Sequence, residues 1–171
     1  MPVEIERKFL VASDDWEQVA DNGVKITQGY IVNADHCSVR IRKCGDGRCT
    51  LTTKLPRNGI SRYEFEHPIE AREADNLMDL CGDAVVEKVR YKIELDGLIW
   101  EVDRFSGLNE GLTVAEVELE REDQTYTRPA WLGEEVTGRE QYQNSKLARR
   151  PFLHWTDAMV AEPAELLGEV N

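Results

Sequence analysis

VEIERKFLV, residues 3–11, places the charged residues Glu4, Glu6 and Lys8 at every second position, with alternation to Ile5 and Phe9. In a β-strand, successive side chains point to opposite faces, so Glu4, Glu6 and Lys8 share one face while Ile5 and Phe9 share the other. The segment therefore predicts a strand with one face in an apolar core and one face lined by carboxylates and an ammonium group.

The same alternation recurs along most of the chain. It predicts eight strands, at about residues 3–11, 26–33, 36–44, 48–55, 60–67, 86–95, 98–105 and 112–120. The glycines in CGDGRC (44–49) and ELDGLI (94–99) predict tight hairpin turns, because glycine after a polar residue suits them. Eight antiparallel strands can close into a barrel in which alternate residues face the interior.

Helices are expected at residues 13–23, 69–82, 127–136 and 137–150, followed by a loosely packed one in the acidic tail after Arg150. Ser13 would be the N-cap of the first, and Thr137 with Glu140 would form a capping box. Since no linker or repeat divides the chain, residues 1–171 are expected to form a single domain. The C-terminal helix and acidic tail would occupy about residues 137–171 of it.

Charge and composition limit the class of protein. The chain has 171 residues and a formal net charge of −12, which disfavours general binding to nucleic acid or to an anionic membrane. It has no apolar run of about 18 residues, and Met1 leads directly into the first strand without a signal sequence. The four cysteines form no CxxC pair. These features predict a cytoplasmic protein with free thiols that binds neither nucleic acid nor membrane.

Like charges repeat two residues apart on several predicted strands. A single charged strand fits the wet face of an antiparallel sheet, but a wet face gains by mixing signs. The like-charged pairs are Glu4/Glu6, Arg40/Arg42, Glu64/Glu66, Lys88/Arg90 and Glu116/Glu118. Five such pairs favour an acidic wall and a basic wall that line one cavity.

The two walls have complementary chemistry. Clustered carboxylates repel one another unless a cation lies among them, and hard oxygen donors select Mg²⁺, Mn²⁺ or Ca²⁺. Arginine and lysine suit phosphate oxygens. Together the walls predict a site for a metal-bound polyphosphate, which would also explain how a chain with a net charge of −12 holds a polyanion.

EIERKF (4–9) resembles the ExExK signature of the CYTH superfamily, the triphosphate tunnel metalloenzymes. VRIRK, TLTTK, RYEFE, EKVRY, EVDRF and AEVELE follow in the family's order over residues 3–120, and VTGREQYQNSKLA (136–148) resembles the family's closing helix. The resemblance covers about residues 1–150 and is strongest to short bacterial members, which are similar to inorganic triphosphatases. It implies a mainly β (α+β) fold, a closed eight-stranded antiparallel β-barrel, or tunnel, with peripheral helices.

The resemblance also implies roles for named residues. The implied metal ligands are Glu4, Glu6, Glu116 and Glu118, and the implied phosphate-binding residues are Arg40, Arg42, Lys54, Lys88 and Arg90. The implied catalytic group is Lys8 beside the phosphates, with Glu64, Glu66 and Asp103 assisting metal or water. Tyr30, on the same face as Gln28, would either contact Lys8 or a phosphate, as a catalytic residue, or fill the wall.

The function implied is the metal-dependent hydrolysis of inorganic tripolyphosphate to diphosphate and phosphate, with Mg²⁺ or Mn²⁺ as cofactor. The partner would be a small-molecule triphosphate, and the protein would be a monomer or homodimer. One alternative is an organic triphosphate enzyme of the same fold: a thiamine triphosphatase, a nucleoside triphosphatase or a class IV adenylate cyclase. Another is a non-catalytic polyphosphate-binding module. The charged interior disfavours a base-stacking pocket, and the paired carboxylates disfavour a simple binding module.

Overall fold

The computed structural model describes residues 3–34, 36–56 and 61–156, in which nine antiparallel strands form one sheet. The strands are β1 (Val3–Val11), β2 (Val24–Ala34), β3 (Cys37–Cys44), β4 (Cys49–Pro56), β5 (Ser61–Pro68), β6 (Val85–Leu95), β7 (Leu98–Ser106), β8 (Thr113–Glu118) and β9 (Leu132–Glu135). The α-helices are α1 (Ala71–Asp79) and α2 (Asn144–Leu147). Short 3₁₀ segments span Asp14–Gln18, Gly107–Asn109, Glu140–Tyr142 and Phe152–His154.

Strand β1 closes the sheet into a barrel. The strand order is β5-β4-β3-β2-β6-β7-β8-β1, and β1 pairs in turn with β5. Glu4 lies opposite Arg62 of β5, while Glu6 lies opposite Glu118 of β8. The predicted closed eight-stranded antiparallel barrel is therefore confirmed, and every predicted strand is present with small changes of bounds.

Apolar side chains pack mainly against the outer surface of the barrel. One cluster joins Phe9 and Trp100 of the strands to Trp16 and Trp131, which lie outside the sheet. Another places Ile41 against α1. The strands thus present alternate apolar residues outwards to the connecting segments, and the alternate charged residues are left to face inwards.

The interior of the barrel is charged over part of its length and apolar at one end. Cross-strand partners lie on one face of a sheet, so the pairings Lys88 with Phe105 and Asp103 with Val114 place apolar residues inside. These apolar residues form a cluster with Tyr30 and with the C-terminal segment. The cluster fills one end of the barrel. The sequence predicted a charged interior and did not predict this apolar end.

The predicted helix at 13–23 is wrong in length, because only the 3₁₀ segment Asp14–Gln18 forms there. Trp16 is its buried residue, so no apolar stripe exists to extend the helix along the barrel. Ser13 makes no backbone cap, and its hydroxyl instead donates to Asp15 Oδ2 at 2.9 Å. The predicted helix at 69–82 is confirmed as the shorter α1.

The predicted helix at 127–136 is wrong. Leu132–Glu135 forms strand β9, which pairs with β1 near Phe9 and Val11. This part of β1 lies beyond the stretch that pairs with β5, and its backbone groups need partners. Pairing with β1 and the burial of Trp131 therefore override the local helix signal.

The predicted continuous helix at 137–150 is also wrong. The structure has two short pieces there, the 3₁₀ segment Glu140–Tyr142 and the single-turn α2. Thr137 does not cap it. The Thr137 hydroxyl accepts from the Lys8 backbone N–H at 3.0 Å and donates to Glu135 at 2.7 Å. The expected last helix in the acidic tail falls mostly in residues 157–171, outside the described residues.

No helix in the described part of the chain is long and apolar enough to cross a membrane. All four cysteines are free thiols, as predicted.

Candidate active site

A charged cavity of about 390 Å³ occupies the open part of the barrel. All of the predicted site residues line it except Lys88 and Asp103. Those two side chains are fully buried and form an ion pair. A neighbouring cavity of about 230 Å³ shares Glu4, Glu6 and Lys8 with the first and reaches Thr137.

Asp103 anchors two cations beside the apolar end. Arg90 donates to it twice, from Nε to Oδ1 at 2.7 Å and from Nη2 to Oδ2 at 2.6 Å. Lys88 donates to Asp103 Oδ2 and, at 3.3 Å, to Asn144 Oδ1. Burial, with Arg90 nearby, lowers the pKa of Lys88 to about 7. Burial opposes the charge of Arg90 as well, but the ion pair with Asp103 prevails and raises the pKa of Arg90 well above its usual value.

Glu116 joins this group to Lys8. Its Oε1 lies 2.9 Å from Lys8 Nζ, and its Oε2 accepts from Arg90 Nη2 at 2.8 Å. Lys8 Nζ also lies 3.4 Å from Glu6 Oε1. Burial by itself would lower the pKa of Lys8, but Glu116 and Glu6 raise it above its usual value. Lys8 is therefore a fixed positive charge at neutral pH, suited to stabilising an anion and unsuited to accepting a proton.

Lys54 and Arg40 are paired with the other carboxylates of the acidic wall. Lys54 Nζ donates to both oxygens of Glu4, at 2.8 and 2.6 Å, and lies 2.7 Å from Glu64 Oε2. Arg40 Nη2 lies 3.4 Å from Glu66 Oε2 and 3.8 Å from Glu64 Oε1. Burial raises the pKa of Glu64, but Lys54 outweighs it and lowers the pKa. Glu64 is thus ionised, and the two walls neutralise each other across the cavity.

Arg42 differs from these cations because its partner is neutral. Its Nη2 donates to Gln28 Oε1 at 3.3 Å, and within the described chain no acidic group forms an ion pair with it. Within residues 3–34, 36–56 and 61–156, its buried Nε has no hydrogen-bond partner, and neither has Arg40 Nε. Burial, together with Arg40 and Arg90, lowers the pKa of Arg42 to about 10, so it stays protonated at neutral pH. Unsatisfied buried guanidinium donors of this kind fit the oxygens of an anion.

The carboxylates fit a hard divalent cation by their chemistry. Partial burial raises the pKa of Glu118, and repulsion from Glu4 and Glu64 raises it further; a bound cation would relieve that repulsion. In residues 3–34, 36–56 and 61–156, however, no group of three acidic, histidine or cysteine side chains stands ready to hold a metal ion. Ammonium groups neutralise Glu4 and Glu116 instead. Glu6 and Glu118 fit such an ion more readily than Glu4 and Glu116, because cations already bind both oxygens of Glu4 and both oxygens of Glu116.

Tyr30 lines the cavity, but its ring belongs to the apolar cluster. Its hydroxyl accepts from Gln28 Nε2 at 3.1 Å. Lys8 Nζ donates elsewhere, to the Tyr142 carbonyl oxygen at 3.4 Å. The structure thus brings Tyr30 to the edge of the site without the expected contact to Lys8.

Sequence reasoning missed three residues that belong to this site. Glu101 accepts from Arg90, and it stands two positions before Asp103 on the same strand face, so the alternation contained the signal. Gln28 stands two positions before Tyr30 and was visible in the same way. Asn144 comes from the C-terminal segment, where no strand periodicity could place it against Lys88.

Comparison with known proteins agrees with this architecture. The family described as CYTH domain matches residues 2–152. An inorganic triphosphatase of Acetivibrio thermocellus is 43% identical over 158 residues, covering 92% of this chain and 100% of the relative. One of Nitrosomonas europaea is 39% identical over 150 residues, covering 85% of this chain and 96% of the relative.

A solved structure extends the match to three dimensions. The crystal structure of the inorganic triphosphatase NE1496 superposes with a TM-score of 0.62 at 35% identity, covering 86% of this chain and 95% of that chain. Its likeness includes the barrel that positions the charged cavity. The chain belongs to the CYTH domain family.

Proposed function

We propose that the protein is an inorganic triphosphatase, which hydrolyses tripolyphosphate to diphosphate and phosphate inside the barrel. The observation that carries this proposal is the 390 Å³ cavity, in which Arg40, Arg42, Lys54 and Arg90 face a wall of glutamates. The names of its two relatives, each an inorganic triphosphatase, support it.

The lining of the cavities favours an inorganic substrate. Tyr30 is the sole aromatic residue that lines either cavity in the described part of the chain. Its ring is packed in the apolar cluster and therefore offers no open face to a nucleobase or a thiamine ring. An unbound organic group adds little to binding, so the alternative organic triphosphates are expected to be poorer substrates.

The CYTH triphosphate tunnel metalloenzymes depend on a divalent metal ion, and we assign Mg²⁺ or Mn²⁺ to this chain because its donors are hard carboxylate oxygens. Glu6 and Glu118 would hold the ion, with Glu4 and Glu116 as further ligands once a cation leaves each of them. When bound, the ion supplies charge neutralisation and Lewis acidity at the phosphate oxygens.

The chain's own cations would bind and orient the substrate. Phosphoryl transfer depends mainly on positioning and on neutralising the phosphate oxygens. Arg42 has an uncompensated charge to offer, and Arg90 is held rigidly by Asp103. Lys54 becomes available to a phosphate when Glu4 or Glu64 turns away. The buried Lys88 lies behind Arg90 and would add charge there only in the fraction of molecules in which it is protonated, since its pKa is about 7.

The acidic residues would have two roles: some would orient the attacking water, and others would hold cations in place. Ionised Glu64 lines the cavity and is placed to accept a hydrogen bond from the attacking water, with Glu66 beside it. Asp103 does not reach the cavity, so its role would be to position Arg90 rather than to touch metal or water. Lys8 would stabilise the charge of the phosphates.

Two further expectations stay predictions. Residues 1–171 would form one domain, since the segment up to residue 156 packs onto the barrel through Tyr142 and Leu147. The protein would act in the cytoplasm on a small-molecule triphosphate, as a monomer or homodimer.

The test is phosphate release from tripolyphosphate with Mg²⁺ or Mn²⁺, and again after chelation of the metal. We expect one diphosphate for each phosphate, loss of activity on chelation, and little activity on diphosphate. Diphosphate leaves part of the basic wall unbound. Failure to release phosphate from tripolyphosphate under either metal would refute the proposal.

A further inference from the structure

The side chain of a buried glutamine, Gln28, forms hydrogen bonds with two residues of the proposed site. Gln28 is 0% exposed, and its register places it opposite Arg42, while Tyr30 lies opposite Arg40. All four side chains therefore share the inner face of the barrel. Gln28 Oε1 accepts from Arg42 Nη2 at 3.3 Å, and Gln28 Nε2 donates to the Tyr30 hydroxyl at 3.1 Å.

This arrangement fixes the direction of both hydrogen bonds. A guanidinium group only donates, so the amide oxygen must face Arg42 and the amide nitrogen must face Tyr30. The Tyr30 oxygen then accepts from Gln28, which leaves its own proton to be donated elsewhere. Because Tyr30 lines the cavity, a phosphate oxygen is a suitable acceptor for that proton.

The neutrality of Gln28 also distinguishes Arg42 from the other cations. Lys8, Lys54, Arg40 and Arg90 each form an ion pair with at least one carboxylate. Arg42 is held by an uncharged amide oxygen, and its buried Nε has no hydrogen-bond partner among the residues that the structure describes. It is therefore oriented by Gln28 without losing its charge to it.

We propose that Gln28 is a positioning residue, which aligns Arg42 and Tyr30 as donors to the phosphate oxygens of the substrate and keeps the charge of Arg42 uncompensated. This inference rests on the proposed function and deepens it. Gln28 itself would act through these two side chains and would not touch the reacting atoms.

The experiment compares two substitutions that separate alignment from neutrality. Gln28→Met keeps the length of the side chain but removes both hydrogen bonds, and we expect KM for tripolyphosphate to rise about tenfold, the order expected for losing a hydrogen bond to a charged group. Gln28→Glu keeps the shape and the acceptor but pairs Arg42 with a carboxylate, so KM should rise further. In both variants kcat should change less than KM.

A double-mutant comparison tests whether Gln28 acts through Arg42. In the Arg42→Ala background, Gln28→Met should raise KM by clearly less than it does in the wild-type protein, because residues that act as a unit are not additive and only the contact to Tyr30 is left to lose. Asn109→Leu is the matched control, since Asn109 is a similarly buried amide that accepts from the Phe152 backbone N–H at 2.8 Å. It should lower stability without changing KM.

A binding readout separates this inference from the proposed function. Tripolyphosphate should raise the melting temperature of the metal-free wild-type protein, and this shift should be smaller in Gln28→Met and smallest in Gln28→Glu. If the wild-type protein binds tripolyphosphate without hydrolysing it, the proposed function is refuted. The order of the thermal shifts in wild type, Gln28→Met and Gln28→Glu still tests the role of Gln28 in binding. If Gln28→Met does not fold, Gln28→Asn, whose amide is one methylene shorter, takes its place. KM and thermal shifts within twofold of wild type in folded Gln28 variants, or additive effects with Arg42→Ala, would overturn the inference.

Discussion

Asp103→Asn is expected to destabilise the protein strongly, because Asp103 joins Lys88 to Arg90. The side chains of Asp103 and Lys88 are fully buried, and Arg90 donates to both Asp103 oxygens. Removing one partner of a buried ion pair costs roughly 3–5 kcal/mol. Lys88, with a pKa of about 7, can lose its proton in the variant, which places the cost near the lower end, about 3 kcal/mol. For a chain of this size, 1 kcal/mol shifts Tm by about 2–4 °C, so Tm should fall by about 6–12 °C.

The pH dependence of this loss has a defined sign. Burial raises the pKa of Asp103, but Arg90 and Lys88 outweigh burial and lower it. A carboxyl group whose pKa is lowered by folding contributes stability above its unfolded pKa, and this contribution is lost as the pH falls through the folded pKa. The part of the stability difference that comes from the Asp103 carboxylate should thus be full at neutral pH and be lost below pH about 4, while Lys88, whose pKa is about 7, adds a separate change near neutral pH.

The assay is urea and thermal unfolding of the metal-free proteins at several pH values, with Asp75→Asn as the matched control. Asp75 pairs with Lys43 at the surface, where ion pairs contribute little, so its loss should hardly move Tm. The kcat/KM of Asp103→Asn for tripolyphosphate should also fall, because Arg90 is no longer held. A Tm for Asp103→Asn within about 2 °C of wild type at neutral pH would refute the reasoning.

Three other substitutions test the two walls. Glu6→Gln should abolish metal-dependent turnover and leave the fold intact, since the amide keeps the shape and loses the charge; a variant with full activity at limiting Mg²⁺ would contradict the assignment. Glu118→Gln should raise the Tm of the metal-free protein, because the raised pKa of Glu118 reflects burial and repulsion; Glu94→Gln, on an exposed position of β6, is the control. Arg42→Ala should raise KM roughly tenfold to hundredfold for tripolyphosphate and ATP alike, and an effect on ATP alone would show that Arg42 recognises the organic group.

The alternation of side chains predicted the strands and the shared face of most site residues because it depends on strand geometry alone, while the closed barrel was implied by the resemblance to the CYTH superfamily. Each strand assigns its residues to one of two faces, so Arg40 and Arg42, or Glu116 and Glu118, had to share a side whatever the tertiary arrangement. The same rule would have found Glu101. Glu101 and Asp103 are like charges two residues apart, so they form the same kind of pair as Glu116 and Glu118.

The alternation of side chains does not predict how far along the barrel an inward-facing residue lies. Along the inner face of β1 the residues change from Glu4 and Glu6 through Lys8 to Leu10, which packs against the apolar cluster. Phe105 and Val114 hold equivalent places beyond Asp103 and Glu116. Whether an inner-face position meets the cavity or the apolar end depends on strand register, which only the folded sheet provides.

The segment after β8 could not be predicted from local patterns. Leu132–Glu135 is a strand because β1 offers it backbone partners, and Thr137 bonds to β1 instead of capping a helix. Asn144 reaches Lys88 through the same docking. These are tertiary effects that outweigh propensities of a fraction of a kcal/mol per residue.

The central claim is that the barrel is built for inorganic triphosphate. Its most direct test is a comparison of kcat/KM for tripolyphosphate, ATP and thiamine triphosphate on one preparation, at one pH and one free-metal concentration. The charged cavity, with the Tyr30 ring packed away, predicts the highest kcat/KM for tripolyphosphate. A kcat/KM tenfold or more higher for ATP or thiamine triphosphate would contradict the account and assign the barrel to an organic triphosphate.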